Sequence, residues 1–183
     1  MLLPMAVLVT GACSGSDGAG NGAEPDTVSA TEYATGVCGA VAGWVDDIQG
    51  LNEDLQTSLD PSDLDALKGV MVDFLDGVVT ATDSAISEVG AVGVPDVDDG
   101  EAAAETVLTA LRDSRAIFEG ARDRVDGLST ADPAAFSEEL QALGTDLQTS
   151  MSGIGGELDQ FASPELDEAA EDVPECDEVS AAP

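Results

Sequence analysis

The chain predicts an all-α protein: an antiparallel up-down-up-down four-helix bundle with a short C-terminal helix, after a signal segment and a flexible tether. Three observations carry the prediction. Apolar residues recur at spacings of three and four through four successive stretches. Short segments holding Asp-Pro, Gly or Ser-Pro separate them. No stretch alternates apolar and polar residues with the period of two that a half-buried strand needs. Helices of roughly 28 residues joined by short connections pack as antiparallel neighbours.

Ser29-Ala-Thr-Glu32 reads as a capping box that opens the first helix. Tyr33, Val37, Val41, Trp44, Ile48, Leu51 and Leu55 then form one apolar stripe, and the helix ends near Leu59. Asp60-Pro61 supplies an N-cap and a first-turn proline for the second helix. Its stripe of Leu64, Leu67, Met71, Phe74, Val78, Ala85 and Val89 ends at about Val89. Gly90 to Gly100 reads as a loop from its Gly, Pro and Asp content. The third helix covers about Glu101 to Leu128, on Ala104, Leu108, Leu111, Phe118, Val125 and Leu128. Asp132-Pro133 repeats the cap-then-proline device ahead of the fourth stripe. That stripe is Phe136, Leu140, Leu143, Leu147, Met151, Ile154, Leu158 and Phe161. Ser163-Pro164 restarts a short helix to about Val173, and Pro174 stops it before Cys176. The bundle thus occupies residues 29–177, with 178–183 as a frayed tail. Gly36, Gly39 and Gly43 are expected to face Gly153, Gly155 and Gly156 across the seam between the first and fourth helices.

Residues 1–12, Met1 to Ala12, carry no charge. The stretch is too short to span a bilayer, which takes about 20 residues. It fits the hydrophobic region of a cleavable signal. Small Thr10, Gly11 and Ala12 directly before Cys13 resemble a bacterial lipoprotein signal, in which the cysteine is diacylated and becomes the new N-terminus. Thr10 stands where that signal usually has an aliphatic residue. The alternative is an ordinary signal with an incidental cysteine, and an exposed free thiol on an exported protein favours lipidation instead. No Lys or Arg precedes the apolar run, so a basic segment and the true start codon are expected upstream of Met1. Residues 13–28 then read as the lipidated Cys13 and a Gly/Ser/Asp-rich tether with a mean span of about 20 Å.

The chain has 38 acidic residues, 5 basic ones and no histidine, a formal charge of −33. Such a surface repels nucleic acid and anionic lipid, and both are excluded as partners. The 43% of apolar residues, recurring periodically, excludes a disordered polyanion. Cys38 and Cys176 remain once Cys13 is lipidated, and an even pair in an exported protein reads as a disulfide. Topology agrees: a segment after Ser163 folding back by roughly 15 Å brings Cys176 level with Cys38, about two turns inside the first helix. Closing so long a loop contributes roughly 4–5 kcal/mol on the chain-entropy model. Two independent buried thiols are the alternative.

Candidate chemistry is sparse. Asp96-Val-Asp98-Asp99-Gly100 starts like a calcium loop, but aligning Gly100 to the invariant glycine puts Pro95, Val97 and Thr106 at ligand positions. Asp98 and Asp99 suit a helix N-terminus instead, and no metal ligand set or cofactor motif is predicted. Arg112, Arg115, Arg122 and Arg124 flank the third stripe. They read either as ion-pair partners for acids on the second and fourth helices or as an anion or partner contact. Glu138-Glu139 are adjacent on a helix and point apart, which does not suit paired carboxylate catalysis. With no histidine, nucleophile elbow, phosphate loop or zinc motif, no catalytic residue is assigned and the chain is read as non-enzymatic. Polar residues inside the stripes are few, notably Thr82 and Ser114.

The run T-E-Y-A-T-G-V-C-G-A-V-A-G-W at 31–44, the acid-rich helices and P-E-C at 174–176 resemble a set of small exported lipoproteins of high-GC Gram-positive bacteria. The resemblance implies anchoring in the cell envelope and a helical fold, and carries over no catalytic residue. The expected role is a lipoprotein held by its lipid on the outer face of the cell membrane. It would bind an envelope protein or polymer through its bundle. The alternative is a carrier or sensor of a small molecule or cation, using the bundle core or the acidic surface.

Overall fold

The structure, a computed structural model, describes residues 26–60, 62–158 and 163–181. Four long helices, α1 (Ala30–Ser58), α2 (Leu64–Val92), α3 (Gly100–Asp126) and α4 (Pro133–Leu158), pack as an all-α bundle. Two short helices follow, α5 (Pro164–Glu171) and α6 (Pro174–Ala181). The signal segment, Cys13 and most of the expected tether lie outside the described residues.

The capping box forms as read: Glu32 N–H donates to Ser29 Oγ at 3.3 Å, and Ser29 N–H donates to Glu32 Oε2 at 3.0 Å. Those bonds hold the Glu32 carboxyl below its ordinary pKa. Asp132 likewise caps α4, its Oδ1 accepting from the N–H groups of Ala134 and Ala135. The start of α2 differs from expectation. Asp63, not Asp60, is its N-cap and accepts from Ala66 N–H at 3.0 Å. Asp60 instead closes a local turn on Ser62, which places the helix start three residues later than its proline suggested.

Paired side chains trace the antiparallel order. Trp44 meets Thr82, while Gly36 faces Val92 and Gly77 faces Leu51, so each step forward on α1 is a step back on α2. Lys68 Nζ donates to the carbonyls of Asp126 and Leu128, placing a cation at the end of α3 beside the start of α2.

The core has two halves. Ala40, Ala85, Val89 and Leu111 join α1, α2 and α3 at one end. Leu75, Ala121, Val125 and Leu143 join α2, α3 and α4 at the other. α2 and α3 therefore form the central pair, with α1 and α4 covering opposite halves of it. The helices pack in chain order, and α1 and α4 form no comparable seam among the described residues. The expected glycine-to-glycine approach between them is accordingly not found. Gly36 abuts Val92, and a Cβ on Gly39, Gly43 or Gly153 would meet nothing within 4 Å. The surroundings of Gly155 and Gly156 lie outside what the structure describes.

The C-terminal segment takes the place on α1 that α4 does not fill, with α5 and α6 both packing there. The short helix α5 ends at Glu171, ahead of Cys176 as expected; the difference is that Pro174 opens a further helix, α6, which carries Cys176 and runs through Ala181, past the expected start of a frayed tail at 178. A short parallel ribbon was also unforeseen. β1 (Thr27–Val28) pairs with β2 (Val94–Pro95), Thr27 opposite Val94 and Val28 opposite Pro95. It draws the last two residues of the expected tether onto the bundle. Gly93, at φ +102°, makes the turn into β2, and a Cβ there would collide with the Asp26 carbonyl.

Candidate functional site

Cys38 and Cys176 are bonded, with Cα atoms 5.0 Å apart and 138 residues between them in sequence. Cys176 lies with Ala34 and Val173 in a small buried cluster that Cys38, Ala169 and Ala170 pack against. The bridge therefore locks α6 onto α1 about two turns from the α1 N-terminus.

The four arginines are occupied by neighbouring acids. Arg115 reaches Asp83 at 2.6 Å and Glu119 at 2.9 Å, and Arg122 reaches Asp76 at 3.0 Å and Asp123 at 3.1 Å. Arg124 reaches Asp146 at 2.8 Å, which ties α3 to α4. Arg112 pairs with Glu105 at 2.9 Å on its own helix. Hydrogen bonding to Asp83 raises the pKa of Arg115 further, and bonding to Asp123 and Asp76 does the same for Arg122. These exposed pairs add little stability individually. Their effect is to neutralise locally the only basic helix face, so the geometry supports the ion-pair reading over the anion contact.

Both polar residues singled out inside the stripes are satisfied. Thr82 is fully buried; its hydroxyl donates to the Val78 carbonyl at 2.8 Å and accepts from Trp44 Nε1–H at 3.0 Å. The Ser114 hydroxyl donates to the Ala110 carbonyl at 2.8 Å. Neither is poised for chemistry. Among the described residues no group of three or more Asp, Glu, Cys or His is placed to hold a metal ion, and no helix is long and apolar enough to cross a membrane.

The one polar side-chain atom that is buried without a partner among the described residues belongs to Tyr33. Tyr33 is 4% exposed. It lines a cleft of about 630 Å³ at the ribbon end of the bundle, within the roughly 300–1,000 Å³ range of small-molecule sites. Val89, Val94, Ala104 and Leu108 supply apolar wall, and Glu101 and Glu105 bring carboxylates to it. β2 forms one side, so the unforeseen ribbon is what shapes the cleft. Tyr33 was legible only as a stripe residue. The available signal was that a phenol needs a partner when buried, and the stripe offers none.

Burial pushes the Tyr33 phenol up from its ordinary 10.0 to about 12. Unfolding restores the lower value, so between these two pH values the unfolded chain binds fewer protons than the folded one. Stability is intact below pH 10 and falls on the order of 1 kcal/mol per pH unit as pH rises toward 12. Tyr33 is the only tyrosine, so tyrosinate absorbance reads it directly. Ionisation coincides with loss of helical signal or lies near pH 12; reversible ionisation near pH 10 with helices intact contradicts the burial.

No protein-family model, curated protein or solved structure matches the chain.

Proposed function

We propose that the chain is an extracytoplasmic lipoprotein, anchored on the outer face of the membrane through Cys13, whose disulfide-stapled bundle acts by binding another envelope component rather than by catalysis. The observation that carries the reading is the Cys38–Cys176 bond. A bond between the two ends of a domain persists in an oxidising compartment and is rare in the cytosol. Export in turn gives the uncharged residues 1–12 and the small residues before Cys13 a purpose. The −33 charge supports a domain held clear of anionic lipid headgroups, with its contact to the membrane delegated to the acyl chains. The absence of histidine and the pairing of each arginine with a carboxylate support a binding role over a catalytic one.

Fractionation of cells expressing Cys13→Ala tests the anchor. The variant leaves the membrane fraction for the soluble extracytoplasmic fraction and keeps its helical signal, because the two core clusters are built from residues of α1, α2, α3 and α4. Continued membrane association of the variant overturns the anchor. A second reading, a carrier or sensor of a small molecule, is supported by one specific observation: the Tyr33 cleft.

A further inference from the structure

We propose that a small apolar socket between the last turns of α1 and the first half of α2 is the partner-docking site, and that it takes a protein segment presenting one large apolar side chain flanked by Lys or Arg. This deepens the envelope-binding reading and rests on it.

The first support is the socket itself. Leu51 and Leu55 of α1 and Val70 and Phe74 of α2, all half-buried, line a recess of about 200 Å³. That is below the roughly 300–1,000 Å³ of small-molecule sites and suits a single anchoring side chain, the usual centre of a protein interface. Its walls are preformed. Leu51 lies against Gly77 with no room for a Cβ between them, and Phe74 also packs on the cluster of Leu75 and Leu143. Leu59, the one exposed large apolar side chain among the described residues, directly follows the lining residue Ser58. The C-terminal helices dock near Ala34 and Cys38, toward the other end of α1. Asp54 is roughly 36 Å along α1 from Ala30, at a rise of about 1.5 Å per residue, so the socket is at the end of the helix remote from the tether.

The second support is charge complementarity, which selects the partner. The acids of α2 that face α3 are neutralised, Asp76 by Arg122 and Asp83 by Arg115. Asp54 and Asp73, the exposed carboxylates of the socket, make no ion pair among the described residues. α1 holds no Lys or Arg, and the single cation of α2, Lys68, is bonded to carbonyls at the end of α3. The apolar recess therefore lies where negative charge is left bare, which favours Lys or Arg beside the anchor and rejects an acidic segment. A second copy of this chain is a poor occupant, because its arginines are already held by carboxylates and the two copies repel at −33 each.

The test is NMR titration of the full mature protein, following the methyl groups of Leu51, Leu55 and Val70, with three short peptides at one ionic strength. One has a central Phe flanked by Lys in a Gly/Ser background, one has Ser in place of that Phe, and one has Glu in place of the Lys. The Phe/Lys peptide binds with Kd roughly in the millimolar range, as a single anchor warrants, and shifts all three methyl-bearing residues. Asp54→Asn with Asp73→Asn weakens it roughly three- to tenfold, while Glu138→Gln with Glu139→Gln, the same charge change on α4, leaves it unaltered. Leu59→Ala weakens it roughly threefold without lowering the melting temperature. Equal binding of the Ser peptide, or equal loss from the α4 pair, is condensation on an acidic surface and refutes the socket. Equal binding of the Glu peptide refutes the basic partner. Methyl shifts that depend on protein concentration without peptide mean that a second copy fills the socket, and overturn the proposal. Binding by none of the peptides overturns it too. Site-specific cross-linking in the native envelope, scanned over the four long helices, separates that failure from failure of the underlying reading. Cross-links elsewhere but none at Leu55 or Leu59 remove the socket and keep the envelope-binding reading; no cross-link from any face removes both.

Discussion

Reducing the Cys38–Cys176 bond lowers the melting temperature by roughly 10–20 °C. The bond closes a loop with a sequence separation of 138 residues, for which the chain-entropy model gives about 5 kcal/mol of destabilisation of the unfolded state. For a chain of this size each kcal/mol moves the midpoint by about 2–4 °C. Set against a typical total of 5–15 kcal/mol, the loss is large. The bond also holds α6 on α1, where α4 gives α1 no comparable support. The double variant Cys38→Ala, Cys176→Ala gives the same shift without a reductant. A calorimetric midpoint unchanged by reduction would refute this account of the staple.

Leu143→Ala is the second large effect, costing about 2–5 kcal/mol by loss of buried area and the cavity left behind. Leu143 is 6% exposed and is the fully buried α4 residue in the cluster with Leu75, Ala121 and Val125. Because α4 covers only that half of the bundle, the damage is local: amide exchange accelerates along α4 before it does at the disulfide end. Leu59→Ala, at a leucine 43% exposed just past α1, costs less than about 0.5 kcal/mol. Denaturant titration separates the two variants. Equal losses would mean that α4 is not docked through Leu143.

The helices were legible because each has an apolar stripe and a recognisable start. Ser29 with Glu32 and Asp132 with Pro133 act as caps through local bonds, so four residues suffice to read them. The cysteine pair was legible by count and topology. The open side between α1 and α4 was not, because a stripe shows that a helix is buried and not which helix covers it. Asp60-Pro61 misled, and the helix that Pro174 opens went unread, for a related reason: proline suits both the end of one helix and the first turn of the next. The β1–β2 ribbon is too short to have a period. The Tyr33 cleft depends on that ribbon, so it stayed hidden with it. For the arginines, the expected pairing with acids on the second and fourth helices holds for Arg115, Arg122 and Arg124, while Arg112 turns back onto α3.

The central claim is an exported domain that carries its lipid at Cys13 and a covalent staple between Cys38 and Cys176. Non-reducing mass spectrometry of the protein taken from its native envelope measures both in one experiment. The account predicts a mature chain that begins at a diacylated Cys13, with the Cys38 peptide linked to the Cys176 peptide. A mature chain that begins elsewhere, an unmodified Cys13, or free thiols at Cys38 and Cys176 would contradict it.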